Sequence, residues 1–172
     1  MSSEHDVMNQ AFSLAYEELR RLAATVRQSE QAQTLSPTAL VHEAWLKLAD
    51  SPPVADSPLH FKRIVARAMR QVLVDAARQR LAAKRGSGQA LVTFDEAFGV
   101  ADAGPREMLA IDEALDELAE ASPRQAAMIE YRFFGGYDVA ETARLLEISE
   151  ATLLRDWRVA RAWLSHKLSQ PA

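Results

Sequence analysis

Residues 138–164, with the sequence DVAETARLLEISEATLLRDWRVARAWL, constrain the fold more than any other part of the chain. Two helical patterns lie here with only a few residues between them. Asp138 is a predicted N-cap for the first helix and Ser149 for the second, because their side-chain oxygens can accept from free backbone N–H groups. Ile148 is the apolar residue expected to fix the turn. The sequence therefore predicts a helix, a tight turn and a second helix.

The second of these helices has two different faces. Spacings of four, three and four residues predict one buried stripe, which consists of Leu153, Trp157, Ala160 and Leu164. The opposite face, at about 100° per residue, consists of Ala151, Arg155, Arg158 and Ala162. Arginines among small residues on an outer face suit a DNA major groove. The alternative is a helical hairpin with a solvated basic face.

Helical patterns also dominate the rest of the chain, and no convincing strand pair is visible. Three helices are predicted to start at Ser-Pro pairs, where the missing proline N–H costs nothing. The predicted helices are residues 6–27, 37–49, 58–83, 107–120 and 123–134. We therefore expect an all-α fold of two small helical domains, residues 1–88 and 107–172, joined by a flexible linker at residues 89–106.

The net charge of −4 hides an uneven distribution of charge along the chain. Residues 62–85 carry eight basic side chains against the single acid Asp75. We expect four arginines of this segment on the outer side of its helix: Arg63, Arg67, Arg70 and Arg78. Residues 89–123 carry nine acids and one base. Four of these acids follow helical spacing and predict a solvated face: Asp112, Glu113, Asp116 and Glu117. The alternative is that the stretch 107–120 folds back on the basic helices.

Several classes of function are not indicated by the sequence. The chain has no cysteine, which excludes disulfides and thiolate metal sites. Its four histidines are scattered, and neither a phosphate-binding loop nor a nucleophile motif is present. No apolar run approaches the roughly 20 residues that span a bilayer, and no secretion signal is visible. We therefore expect a cytoplasmic protein that is not an enzyme and has no cofactor, metal site, small-molecule substrate or membrane contact.

Three segments, in the same order along the chain, resemble a bacterial sigma factor of the extracytoplasmic-function (ECF) type. LVHEAWLKL at residues 40–48 resembles the family's polymerase-binding helix. HFKRIVARAMRQVLVDAARQR at residues 60–80 resembles the helices that meet the proximal promoter element. SPRQAAMIEYRFFGGY at residues 122–137, with the segment that follows it, resembles the module for the distal element. The details resemble a subgroup linked to serine/threonine kinases.

The resemblance implies that the protein binds core RNA polymerase and promoter DNA and directs promoter-specific initiation. The polymerase contacts that it implies are Leu40, Glu43, Trp45, Leu46 and Lys47, although Trp45 could equally be a core residue. The implied contacts to the proximal element are Arg67, Arg70, Arg78, Gln79 and Arg80. Those to the distal element are Ser149, Glu150, Thr152, Arg155, Arg158 and Arg161. The alternatives are a helix-turn-helix regulator that acts without polymerase, and an adaptor for a kinase or an anti-sigma protein.

One departure from the family pattern suggests regulation. Relatives commonly carry acids just before the leucine-valine pair, whereas this chain has Ser36, Pro37, Thr38 and Ala39. A phosphate on Thr38 would add about −1.5 to −2 charges at the first turn of a helix, where anions are favoured. The hypothesis is that a kinase phosphorylates Thr38, or alternatively Ser36, to strengthen polymerase binding. The simpler alternative is that Ser36 caps the helix and Thr38 has no special role.

Overall fold

A computed structural model of the chain describes residues 37–50, 57–83 and 104–170, together with Ser13 and Tyr16. These residues are almost entirely helical and contain no strand, which confirms the all-α prediction. The helices are α1 (Pro37–Asp50), α2 (Pro58–Ala83), α3 (Pro105–Ala121), α4 (Pro123–Ile129), α5 (Val139–Leu146) and α6 (Glu150–Ser169). Ser13 and Tyr16 are helical, but the rest of the predicted helix 6–27 and most of the predicted linker 89–106 lie outside the described residues.

Two helix starts show how local chemistry sets the boundaries. The Ser57 hydroxyl accepts from the backbone N–H of His60 at 3.1 Å, so α2 begins at Pro58 as predicted. Helix α3 begins at Pro105, two residues before the predicted start, because Glu107 accepts from the backbone N–H of Gly104 at 2.5 Å. A proline in the first turn followed by this glutamate starts the helix inside the predicted linker.

The end of the predicted helix 123–134 is a π turn, which the sequence pattern did not predict. Helix α4 continues into a π-helical segment, Glu130–Phe134, which closes with a bond from the Gly135 N–H to the Glu130 carbonyl at 3.0 Å. Phe133 and Phe134 are buried there, with their rings 4.8 Å apart in an edge-to-face arrangement. A side chain at position 135 would meet the Tyr131 carbonyl at 2.5 Å, so only glycine fits.

The core is continuous across the described residues. Helix α2 packs against α1, α3, the π turn and α5, while α6 packs against α3, α4 and α5. One apolar cluster therefore joins Leu48 of α1, Met69 of α2, Ile111 of α3 and Leu153 of α6. The predicted domains 1–88 and 107–172 both contribute to this cluster. Their independence as domains stays a prediction, but in this structure their described parts pack together.

A smaller cluster attaches α5 to the first half of α2. It consists of Ala66, Tyr131, Tyr137 and Leu145. The Tyr137 hydroxyl donates to the Lys62 carbonyl at 3.2 Å, and the Arg63 guanidinium donates to the Leu145 carbonyl near the end of α5. A cation near the last carbonyls of a helix is favourable because those groups are otherwise unpaired.

The packing corrects part of the predicted outer face of α2. Arg67 and Arg78 are exposed, as expected. The predicted outward position of Arg70 is wrong, because α3 covers its side chain, while Arg63 is only half-buried, with its guanidinium bound to a carbonyl of α5. The reason is that residues distant in sequence bury a face that the helical pattern of α2 alone leaves polar.

The shared core predicts a large effect of truncation at its centre. Ile111 is fully buried, so Ile111→Ala is expected to lower the free energy of unfolding by about 2–5 kcal/mol, since the cavity cannot refill completely. Leu59→Ala, at an exposed position on α2, is the matched control and should change stability by less than about 0.5 kcal/mol. Urea unfolding followed by circular dichroism measures both. Equal stability of the two variants would contradict the burial of α3.

Candidate nucleic-acid interface

Both predicted helix caps in the C-terminal segment are present. The Asp138 carboxylate accepts from the Glu141 N–H at 2.8 Å, and the Glu141 carboxylate accepts in return from the Asp138 N–H at 3.2 Å. This reciprocal box starts α5. The Ser149 hydroxyl accepts from the Thr152 N–H at 3.2 Å and starts α6. The two helices therefore begin where the sequence predicts.

The turn between α5 and α6 is tight and well specified. Glu147 adopts a left-handed conformation with φ of 57°. The Ile148 N–H then donates to the Ala143 carbonyl at 3.0 Å, while the Glu147 N–H donates to the Arg144 carbonyl at 3.2 Å. This pair of bonds is a Schellman motif, which satisfies the last carbonyls of α5. Ile148 packs against the main core, as expected for the residue that fixes the turn.

The two faces of α6 lie as predicted. The four residues of the buried stripe, Leu153, Trp157, Ala160 and Leu164, are all in the core. The four residues of the opposite face, Ala151, Arg155, Arg158 and Ala162, are all exposed. Leu154 and Val159 are also exposed, by 44% and 56%. The outer surface of α6 thus combines two arginines with small and apolar side chains.

The remaining predicted distal contacts gather at the start of α6 and along one side of it. Ser149 and Glu150 are exposed, whereas Thr152 and Arg161 are half-buried. The Ser149 and Thr152 hydroxyls share a hydrogen bond at 2.9 Å, so both already take part in the cap. Ser149 is the N-cap of α6, Glu150 and Thr152 lie in its first turn, and Arg155 and Arg158 follow on the same helix.

Asp156 of α6 takes its main partner from another helix. Its carboxylate binds the Arg124 guanidinium of α4 at 2.5 Å. Arg155, its neighbour in sequence, approaches it only to 3.8 Å. The reason is that Asp156 lies on the buried side of α6, facing α4. Nearby, the Arg132 guanidinium stacks over the Trp157 ring at 4.3 Å. Both contacts fix the orientation of α6.

Arg70 of α2 is held by three carboxylates from other parts of the chain. Its Nε donates to Asp112 at 2.7 Å, its Nη1 to Glu130 at 3.0 Å, and its Nη2 to Asp116 at 2.7 Å. Nη2 also donates to the Asp112 carbonyl at 2.9 Å. Burial by itself lowers the pKa of Arg70, but its hydrogen bonds to Glu130, Asp112 and Asp116 raise that pKa above the ordinary value.

The other predicted proximal contacts surround this cluster. Arg67 and Gln79 are exposed and Arg80 is half-buried. Arg78 is exposed and reaches Asp75 at 3.4 Å and Asp112 at 3.8 Å. A groove of about 650 Å³ brings Arg67, Arg70 and Arg78 together with carboxylates of α3. The predicted solvated face of α3 is therefore wrong for Asp112, and Asp116 and Glu117 also form ion pairs, with Arg70 and Lys167.

The predicted polymerase contacts on α1 divide into exposed and partly buried side chains. Glu43 and Leu46 are exposed, and Trp45 is half-buried. Lys47 is exposed, and its ammonium group binds the Asp75 carboxylate of α2 at 2.7 Å. Leu40 and Thr38 belong to α1, but their side chains lie outside the described residues, as does the whole of Ser36.

Comparison with known proteins identifies the family of the chain. A protein-family model described as ECF sigma factor matches residues 2–170. The chain belongs to the ECF sigma factor family. This sigma factor accordingly directs transcription initiation, binding core RNA polymerase and promoter DNA. No curated protein and no solved structure is significantly similar to the chain. Among the described helices, none has the length and apolar character needed to cross a membrane.

Two structural features were missed wholly or in part by reasoning from the sequence. The Arg70 cluster joins α2 to α3 and the π turn across 42 to 60 residues. The charge pattern allowed the acidic stretch 107–120 to fold back on the basic helices, as α3 does on α2, but no local pattern identifies the partners of Arg70. The burial of Asp156 does have a signal, because position 156 falls in the same helical phase as Leu153 and Ala160. Its partner Arg124 has none.

The Asp156–Arg124 pair between α6 and α4 gives a prediction about the stability of the fold. Arg124→Ala leaves a buried carboxylate with only a distant partner, so it should lower the free energy of unfolding by about 1–3 kcal/mol. Arg155→Ala removes the weaker 3.8 Å contact and should change stability by less than about 0.5 kcal/mol. Thermal or urea unfolding compares the two variants. A larger loss for Arg155→Ala would contradict the assignment of the partner.

Proposed function

We propose that this sigma factor divides its work among three surfaces: α1 for core polymerase, α2 for the proximal promoter element and α6 for the distal element. The main support is the family match over nearly the whole chain, combined with the exposed basic face of α6. We propose further that residues 1–88 and 107–172 act as separate domains on the polymerase, joined by a flexible linker at 89–106. The protein then works in the cytoplasm, where polymerase and promoters are.

Helix α6, together with α5 and the turn, is the proposed DNA-reading helix-turn-helix. Arg155 and Arg158 are exposed on its outer face and are long enough to donate two hydrogen bonds each to O6 and N7 of guanine. Arg161 is half-buried and further from the helix start, which suits a phosphate contact that positions the protein without reading sequence. Ser149, Glu150 and Thr152 occupy the end of the helix that enters the groove first.

The exposed side of α1 is the proposed contact with core polymerase. Leu46 is 45% exposed in the same helix as the exposed Glu43, so an apolar anchor lies beside a charged group. Such a combination is typical of a protein interface with a small apolar centre and a polar rim. Lys47 and the half-buried Trp45 extend this surface, and Leu40 completes the set that the family resemblance implies.

The proposed proximal-element surface is the basic side of α2. Arg67 and Gln79 are exposed there, Arg78 is largely exposed, and Arg80 is half-buried. Arg70 completes the set. Several of these cations would bind phosphates, because phosphate contacts supply most of the affinity for DNA without specifying its sequence.

Run-off transcription with purified core polymerase tests the proposed function directly. Core polymerase should produce discrete transcripts from a genomic promoter library when the sigma factor is added. The second candidate function is a helix-turn-helix regulator that acts without polymerase, favoured only by the exposed α6 face. Sequence-specific DNA binding combined with no transcript and no association with core polymerase would reject our proposal and leave that alternative.

The proposed guanine contacts predict a difference between two arginines of α6. Arg155→Ala should weaken binding of the polymerase complex to its promoter by about 1–3 kcal/mol and relax the preference at one base pair. Arg161→Ala, as the control, should weaken binding equally for all sequences. Competition binding against a library of randomised distal elements measures both effects. An unchanged base preference in Arg155→Ala would remove this role.

We also propose that a serine/threonine kinase regulates polymerase binding through Thr38 or, as the alternative, Ser36. The support comes from sequence: α1 has no acid in its first turn, where relatives carry acids. A phosphate on a residue at this end of the helix would supply negative charge next to free backbone N–H groups. The kinase partner is part of the same proposal.

The proposed phosphorylation of Thr38 predicts that the affinity for core polymerase differs among the phosphorylated, unmodified and substituted proteins. The phosphorylated protein should bind core polymerase more tightly than the unmodified protein, and Thr38→Glu should reproduce part of the gain because it adds one negative charge. Thr38→Ala should behave as the unmodified protein and resist activation by the kinase. A pull-down with purified core polymerase measures this series, and Ser36→Ala, treated in the same way, tests the alternative site. Equal binding across the series would contradict the proposal.

A further inference from the structure

We propose that the packing of α3 on α2 is an autoinhibitory contact in which the carboxylates of Asp112, Asp116 and Glu130 occupy Arg70 and keep DNA from it. This inference rests on the proposed role of α2 in promoter binding. We call the arrangement in the structure the closed state, defined by the hydrogen bonds of Arg70 to these three carboxylates.

The Arg70 guanidinium has little capacity left for a phosphate. All three of its nitrogens donate, and they reach three carboxylates and one backbone carbonyl at 2.7 to 3.0 Å. The side chain is only 15% exposed. A guanidinium has five N–H groups in a fixed plane, and four of them already donate here, so a DNA phosphate could form a bidentate pair with Arg70 only by displacing a carboxylate. The carboxylates thus compete with DNA for the same donors.

The surroundings of Arg70 also disfavour DNA. Arg67 and Arg78 line the same groove, but the opposite wall carries Asp112, Asp116 and Glu130. A phosphate backbone entering this groove would approach three negative charges as well as the arginines, which cancels much of the attraction. In contrast, the outer face of α6 is exposed in the closed state. The contact therefore blocks one of the two proposed promoter surfaces and leaves the other open.

We call the contact of Arg70 with its three carboxylates the lock. A chain of ion pairs connects this lock to the proposed polymerase surface. The Lys47 ammonium on α1 binds Asp75 at 2.7 Å, Asp75 binds Arg78 at 3.4 Å, and Arg78 reaches Asp112 at 3.8 Å. Asp112 also binds the Arg70 Nε at 2.7 Å. A polymerase contact with Lys47 would change the pairing of Asp75 and, through Arg78, that of Asp112. The network therefore links the proposed polymerase surface of α1 to the carboxylates that hold Arg70.

Glu43 and Leu46 are exposed in the closed state, so polymerase can dock on α1 before the lock opens. The closed state should thus reduce DNA binding by the free sigma factor more than DNA binding by the polymerase complex. This difference between free and bound protein distinguishes a lock from a merely structural ion pair.

The test compares two double variants that remove the same charge from the same helix. Asp112→Asn with Asp116→Asn weakens the lock, whereas Glu113→Gln with Glu120→Gln neutralises two exposed acids of α3. We expect the first variant to bind promoter DNA without polymerase about 5- to 150-fold more tightly than wild type, the usual range for coupled sites. The control variant should gain much less. Fluorescence anisotropy with a labelled promoter duplex measures all affinities at one salt concentration.

Adding Arg70→Ala to the first variant should abolish the gain, because the released guanidinium is what binds DNA. Equal gains in the two double variants, or a gain that persists without Arg70, would overturn the proposal. Asp116→Asn alone gives a second readout if the double variant unfolds, because the Asp116 side chain is 73% exposed and its loss disturbs the core least. It should produce a smaller gain of the same kind, and no gain in this folded variant would count against the lock.

Run-off transcription by the wild-type protein with core polymerase separates this inference from the proposed function. Promoter-specific transcripts combined with no gain in the lock variants would reject autoinhibition alone. Without any transcript from the wild type, the proposed function itself fails.

Discussion

The contact between Arg70 and the carboxylates around it determines how the rest of this structure is arranged. It joins α2 to α3 and to the π turn through hydrogen bonds that satisfy a cation of which only 15% is exposed. A guanidinium this buried would be costly without such partners. The apolar cluster that includes Met69 and Ile111 lies between the same helices, so charge pairing and hydrophobic burial favour the same packing.

The C-terminal helices show a different balance, in which local caps set the ends and distant contacts set the orientation. Asp138 and Ser149 fix the starts of α5 and α6 within a few residues of chain. The direction in which α6 presents Arg155 and Arg158 depends instead on its buried stripe and on the bond from Arg124 to Asp156. The exposed face of α6 that is proposed to bind DNA is therefore oriented by contacts on the opposite side of the same helix. The side chains proposed to contact DNA contribute little to the stability of the fold.

The features that were predicted from the sequence are those that depend on local chemistry. Ser57-Pro58 gives the start of α2, and the spacing from Leu153 to Leu164 gives the buried stripe of α6. The family resemblance was confirmed over residues 2–170. The charge pattern gave the packing of residues 107–120 on the basic helices only as an alternative, and it could not identify the partners of Arg70, because α2 alone shows Arg70 as a polar outward position. The π turn at Glu130–Phe134 was missed for a similar reason, since an ordinary helical pattern continues through it.

The central claim is that the helices that pack together in this structure separate when the sigma factor engages core polymerase. The chain has no cysteine, so spin labels can be attached at cysteines introduced at the exposed positions Ala82 of α2 and Glu120 of α3. Pulsed electron resonance then gives the distance between the two labels. The account predicts one narrow distance distribution in the free protein and a longer distance after core polymerase is added. A distance that stays the same in the transcriptionally active complex would contradict it.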